Sequence, residues 1–117
     1  MGNAIKEKSF DFALRIVRLY IFLKEEKNEY VMSRQVLKSG TSIGANVREG
    51  RNAQSNMDFA SKYSIALKEA DETQYWIELI HAAGYIDEKS FSSLNNDLNE
   101  IIAILTSSIK TIKKNGQ

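Results

Sequence analysis

The sequence predicts an all-α protein, an antiparallel up-down four-helix bundle, from three observations. Apolar residues recur at helical spacing over four long stretches, and no alternation persists that would mark a strand. Proline is absent from all 117 residues, so nothing in the chain is an obligatory helix breaker. The joints are roughly four to six residues, the length that connects antiparallel neighbours in a bundle. At 13.3 kDa the chain is of single-domain size, and residues 1–117 are read as one domain without repeat or linker. Surface scaling gives roughly 6,400 Å² folded against about 19,000 Å² unfolded, so about two-thirds of the chain surface is buried. With 43% hydrophobic residues this supports one real core and rules out disorder.

The first helix is predicted over about 10–27, with Ser9 as its N-cap. It is apolar on two sides: Phe12, Ile16, Leu19, Tyr20 and Leu23 on one, Phe10, Leu14, Val17 and Ile21 on the other. The second helix is predicted over about 33–52. The third, over 56–83, opens with Ser55-Asn56-Met57-Asp58, a capping-box pattern, and stops where Gly84 supplies a left-handed C-cap. Its core stripe at 100° per residue is Tyr63, Ala66, Leu67, Ala70, Gln74, Ile77 and His81. Opposite lie Ile65, Trp76, Leu79 and Ala83, interleaved with Glu69 and Glu72. The fourth, over 88–114, is capped by Asp87 and carries one stripe through Phe91, Leu94, Leu98, Ile101, Ile102, Leu105, Ile109 and Ile112. Asn95 reads as solvent-facing. A lone four-helix bundle needs about one apolar face per helix, so the surplus faces on the first and third helices predict self-association. The expected contact residues are Ile65, Glu69, Glu72, Trp76 and Leu79.

Composition removes several function classes. There is no cysteine, which excludes disulfides and thiolate chemistry, and His81 is the one histidine. The longest runs without Asp, Glu, Lys or Arg are nine residues, 39–47 and 101–109, whereas a membrane span needs about twenty. Residues 1–8 carry charges with no apolar run after them, unlike a secretory signal, so a cytoplasmic location is expected. The charge balance, 16 basic against 15 acidic residues, supplies no global field for polyanions.

The second helix holds the most informative text. Its core stripe is Val36, Leu37, Gly40, Ile43, Gly44 and Val47, and the two glycines stand one turn apart where another helix can come close. Each glycine costs about 1 kcal/mol of helix propensity against alanine, which argues that the space is needed. A second stripe collects Gln35, Ser39, Ser42, Asn46 and Glu49 at spacings of four, three, four and three. These polar groups suit hydrogen bonds across an interface or to a ligand, or a plain solvated face. Arg34, Lys38 and Arg48 occupy a third sector, and Arg51 falls just past the helix end.

Tyr30, Ser33, Gln35, Val36 and Ser39, then Ser42-Ile43, Ala45-Asn46-Val47 and Glu49-Gly50, resemble the pattern of the 23S ribosomal RNA intervening-sequence proteins, a four-helix-bundle family. The likeness continues through Phe59, Ala66, Leu67, Glu69 and Glu72 to Gly84-Tyr85. Gly44 departs from it, since the family often has proline there. The resemblance implies a bundle assembled into a ring-shaped homo-oligomer, typically a pentamer. The family is also similar to the accessory variability proteins of diversity-generating retroelements, which bind nucleic acid and are strongly basic, unlike this chain at +1.

Catalytic and metal readings fail on spacing. Glu78-Leu79-Ile80-His81 contains a Glu-x-x-His, but a di-iron bundle needs that motif on two helices, and a core histidine is the expectation. Glu69 and Glu72 stand at i, i+3 as an acid–base pair would, yet beside Ile65 and Trp76 they read better as interface. The glycines do not form a phosphate loop. The expectation is therefore a non-enzymatic, homo-oligomeric scaffold with no cofactor, no metal, no membrane span and no small-molecule substrate. The alternative is an RNA- or DNA-binding accessory protein using Arg34, Lys38 and Arg48, with Lys110, Lys113 and Lys114 at the tail. Those tail lysines also offset the helix macrodipole.

Overall fold

A seven-residue repeat organises the buried residues of every helix. The computed structural model describes residues 3–115, in four helices: α1 (Asn3–Lys27), α2 (Met32–Arg51), α3 (Asn56–Ala82) and α4 (Glu88–Asn115). Among the described residues there is no strand. The buried set on α1 is Ile5, Ser9, Phe12, Ile16, Leu19 and Leu23, with alternating steps of four and three. On α2 it is Ser33, Val36, Ser39, Gly40, Ile43, Val47 and Gly50. On α3, Tyr63, Ala66, Ala70, Thr73, Ile77 and Ile80 keep the same rhythm, and on α4 so do Leu94, Leu98, Ile101 and Leu105. A strict repeat of 3.5 residues drifts about 20° per heptad on a straight helix, so helices that keep it facing inward coil left-handed around one another.

That rhythm corrects the predicted stripe on α3. A projection at 3.6 residues per turn rotates the stripe onto Gln74 and His81 by the end of the helix. In the bundle Thr73 and Ile80 take the core positions, and Gln74 and His81 stand half-buried at the rim. Gln74 Nε2 donates to Asn95 Oδ1 at 2.9 Å and Asn99 Oδ1 at 3.0 Å, so Asn95 is a half-buried partner of α3 and not a solvent-facing residue. The His81 ring stacks on Phe91 at 4.4 Å, and its Nε2 lies 3.6 Å from Glu88, not beside Glu78.

The start of α1 is a second correction, at Asn3 instead of Phe10. Ser9 does not cap the helix. It is buried in the seam, where its hydroxyl donates to the Lys6 carbonyl at 3.2 Å and its own carbonyl faces Gly44. Ile5 buries one further heptad, and that apolar anchor holds the early turns helical despite their charged outer face. Gly40 shows why α2 tolerates glycine: a Cβ there would stand 2.8 Å from both γ-carbons of Ile16. The α1–α2 approach therefore depends on it.

The joints are closed by specific polar groups. Asn28 takes a left-handed conformation (φ 54°), and the following Glu29 folds under α2. Glu29 Oε2 accepts from the amides of Val31 at 3.1 Å and Met32 at 3.0 Å, and Oε1 accepts from Ser33 at 2.7 Å. A carboxylate there satisfies orphan amides and suits the positive end of the helix. Ser55 Oγ accepts from Asp58 N at 3.1 Å, and Asp87 Oδ1 from Ser90 N at 2.8 Å. Gly84, at φ 89°, ends α3 in a Schellman turn: Gly84 N donates to His81 O at 3.0 Å and Tyr85 N to Ile80 O at 3.1 Å.

Around the bundle, α1 touches α2 and α4, α3 touches α2 and α4, and the diagonal pairs do not meet. The helices form a rod of 49 × 21 × 20 Å. None of the described helices is long and apolar enough to cross a membrane.

Candidate functional site

Two outward seams survive the folding of the single chain. On α1, Phe10, Leu14, Val17 and Ile21 point nearly opposite the core, and Phe10 and Ile21 stay 59% and 50% exposed. On α3, Ile65 is 40% exposed and Leu79 37%, with Trp76 and Glu69 half-buried and Glu72 exposed between them. The Trp76 indole donates to Glu72 Oε2 at 3.2 Å, so Glu72 is tied to the aromatic ring one turn along the same helix. Both seams step by four and three, like the core seams on the other side of the same helices. Because α1 and α3 are diagonal, the two seams lie on different sides of the rod.

The polar stripe of α2 borders the α3 seam. Ser39 is buried, with its Oγ 2.9 Å from Thr73 Oγ1, and Thr73 Oγ1 also donates to the Glu69 carbonyl at 2.7 Å. Glu49 Oε1 pairs with Lys62 Nζ at 2.9 Å. These two ties put the stripe and the seam on one continuous α2–α3 face. Ser42 and Asn46 are half-buried and turn back on their own helix, Ser42 Oγ to Lys38 O at 2.7 Å and Asn46 Nδ2 to Ser42 O at 2.9 Å. Gln35 and Glu49 are exposed in the single chain.

Arg34, Lys38 and Arg48 are exposed, and among the described residues none has a carboxylate within 4.0 Å. The structure does not bring them into one patch. With a rise of about 1.5 Å per residue, Arg34 and Arg48 stand about 21 Å apart along the axis. Arg34 Nε donates to the Tyr30 carbonyl at 2.8 Å. Arg48 instead shares a shallow hollow with Lys6 and Arg51, a grouping across two helices that helix-by-helix reading misses. Lys110, Lys113 and Lys114 are exposed at the same end of the rod.

No group of three or more His, Asp or Glu residues placed to hold a metal occurs among the described residues. Sequence reading also passed over exposed Val31, Tyr75 and Met57, the last 83% exposed. Val31 and Met57 stand singly at helix starts and Tyr75 stands outside both stripes of α3, so none carries a periodic signal.

No curated protein matches the chain. A crystal structure of a protein of unknown function from the S23 ribosomal protein family of Bacteroides thetaiotaomicron is similar in both fold and sequence. It superposes with a TM-score of 0.92 at 55% identity, covering 93% of this chain and 97% of the other. The 23S rRNA-intervening sequence protein family model matches residues 2–107, from the first turns of α1 to the last seam positions of α4. With the α2 text and the four-helix packing both inside that span, the chain belongs to the 23S rRNA-intervening sequence protein family.

Proposed function

We propose that this protein is a non-enzymatic cytoplasmic scaffold that works as a closed homo-oligomeric ring, a pentamer, in which the α1 seam of one copy packs on the α2–α3 face of the next. The observation that carries this reading is the pair of outward apolar seams on diagonal helices. Two different faces that complement one another make a head-to-tail contact, which closes into a ring when the rotation allows. Seam spacing of 3.5 residues suits coiled-coil packing between copies as it does inside the bundle. In this arrangement Gln35, Ser42, Asn46 and Glu49 hydrogen-bond across the contact.

Light scattering at micromolar concentration should give a particle near five times 13.3 kDa. Leu14→Asp, which breaks the α1 seam, and Trp76→Asp, which breaks the α3 seam, should each leave a helical monomer. Mixed, they should form a 1:1 dimer through the one contact still intact. A wild-type chain that stays monomeric, or mutants that do not rescue one another, would overturn the head-to-tail ring.

A second reading, nucleic-acid binding, is favoured by one observation. Lys6, Arg48 and Arg51 gather, with no carboxylate within 4.0 Å among the described residues, at the end of the rod that also holds Lys110, Lys113 and Lys114. Repetition around a ring multiplies weak phosphate contacts. Binding of RNA or DNA should then be sequence-tolerant and fall linearly in log affinity against log salt. Neutralising Arg48 and Arg51 should weaken it more than neutralising Arg34 and Lys38.

A further inference from the structure

At the opposite end of the rod, a cleft of about 670 Å³ opens between the C-terminal half of α1 and the α3–α4 turn. Its size falls within the roughly 300–1,000 Å³ of small-molecule sites. The floor is apolar: Leu19 and Leu94 are core residues, and Phe22 and Ile86 leave ring and side-chain surface open to the cleft. The rim is cationic. Arg15, Arg18 and Lys27 all line it, against the single carboxylate of Asp87.

The roles of these charges differ. Arg15 is held by Asp97 at 2.6 Å and by Ser93 Oγ at 2.9 Å. Asp87 is occupied in capping α4 through Ser90 N, the hydrogen bond that holds its carboxyl below the usual carboxylate range. Arg18 and Lys27 have no carboxylate within 4.0 Å among the described residues, and Lys27 Nζ sits 5.7 Å from the centroid of the Phe22 ring. Two uncommitted cations therefore stand over an apolar floor. The cleft includes none of the α1 or α3 seam residues, so it stays separate from the faces assigned to self-association.

We propose that this cleft binds a small amphipathic organic anion, with its carboxylate at the cationic rim to which Arg18 and Lys27 contribute and its hydrocarbon body over Leu19, Phe22, Ile86 and Leu94. A guanidinium matches a carboxylate in a forked, charge-assisted geometry, and an ammonium adds a point charge. This site goes beyond the scaffold reading and does not depend on it.

The test is calorimetric titration of the full chain with octanoate and with octanamide, its neutral counterpart. Octanoate should bind at one site per chain and at least about tenfold more tightly than octanamide, the gap expected of a charge-assisted contact. The double variant Arg18→Gln/Lys27→Gln, changed at exposed positions, should bring octanoate to the octanamide level and leave octanamide unchanged. Lys38→Gln, a cation elsewhere on the surface, should leave both affinities as they are. Particle mass measured on the same samples should not move with ligand. Equal affinity for acid and amide, no octanoate binding, or unaltered octanoate binding by the double variant would each overturn the proposal.

Discussion

The α1–α4 side and the α2–α3 side of the rod differ in how much of their polar surface is spent on the neighbouring helix. Across α1–α4, charged side chains reach the neighbouring helix: Lys8 meets Glu100 at 2.7 Å, and Arg15 meets Asp97 and Ser93. Their bonding capacity is used inside the chain. Across α2–α3, the ion pair Glu49–Lys62 sits at one end, at 2.9 Å, and Ser39 and Thr73 form the buried hydroxyl contact, while Ser42 and Asn46 bond to their own backbone and Gln35 stays exposed. Apolar Ile65 and Leu79 lie beside that unspent polarity. The difference teaches that net charge says little about which side keeps uncommitted polar groups. The charged side is closed on itself, and the nearly uncharged stripe is the open one.

The sharpest break of this contrast is at the buried hydroxyl pair. Thr73→Val keeps the shape but strands the Ser39 hydroxyl, and should cost about 1–3 kcal/mol in denaturant unfolding. Ser39→Ala combined with Thr73→Val removes both partners and should recover most of that loss, since an apolar pair leaves nothing unsatisfied. A double variant as unstable as the sum of its parts would mean that the pair is held by packing alone.

Asp97→Asn should cost less, about 0.2–1 kcal/mol, because Arg15 and Asp97 are both partly solvated and surface ion pairs are screened. Raising the salt concentration should shrink the difference between wild type and variant. The acid limb offers a related check at Asp87. Its carboxyl is held below the usual range, so its contribution to stability is present at neutral pH and is lost as pH falls below about 4. Asp87→Ala should flatten that part of the stability–pH curve.

Asn46→Leu should have the smallest effect on the lone chain, within about 0.5 kcal/mol, because Asn46 bonds only within its own helix. The same change should reduce particle mass in light scattering if the stripe faces a second copy. Exposed Asn96→Asp should leave the mass unchanged. Equal masses for wild type and Asn46→Leu would make the stripe solvent-facing surface.

Local chemistry was legible wherever a rule acts within one turn. Ser55, Gly84 and Asp87 are found at helix ends as their residue types predict, because a cap needs only its neighbours along the chain. Glu29 was not legible: its carboxylate closes three amides from a position before the helix, and glutamate is not among the usual N-cap residue types. Ser9 misled for the converse reason, since a serine beside charged residues looks like a cap until Gly44 is seen to pack against it.

The sequence by itself determined the all-α class, the four stretches and their short joints, since periodicity, caps and the missing proline act over a few residues each. Only the tertiary structure decided which line of each helix faces inward. Supercoiling sets the repeat at 3.5, and that chooses Thr73 and Ile80 over Gln74 and His81. It alone also brings Arg48 to Lys6 and sets Arg18 and Lys27 over the floor of the cleft beside the α3–α4 turn. Groups far apart along the chain meet only through packing, so no spacing within the sequence records that they are neighbours.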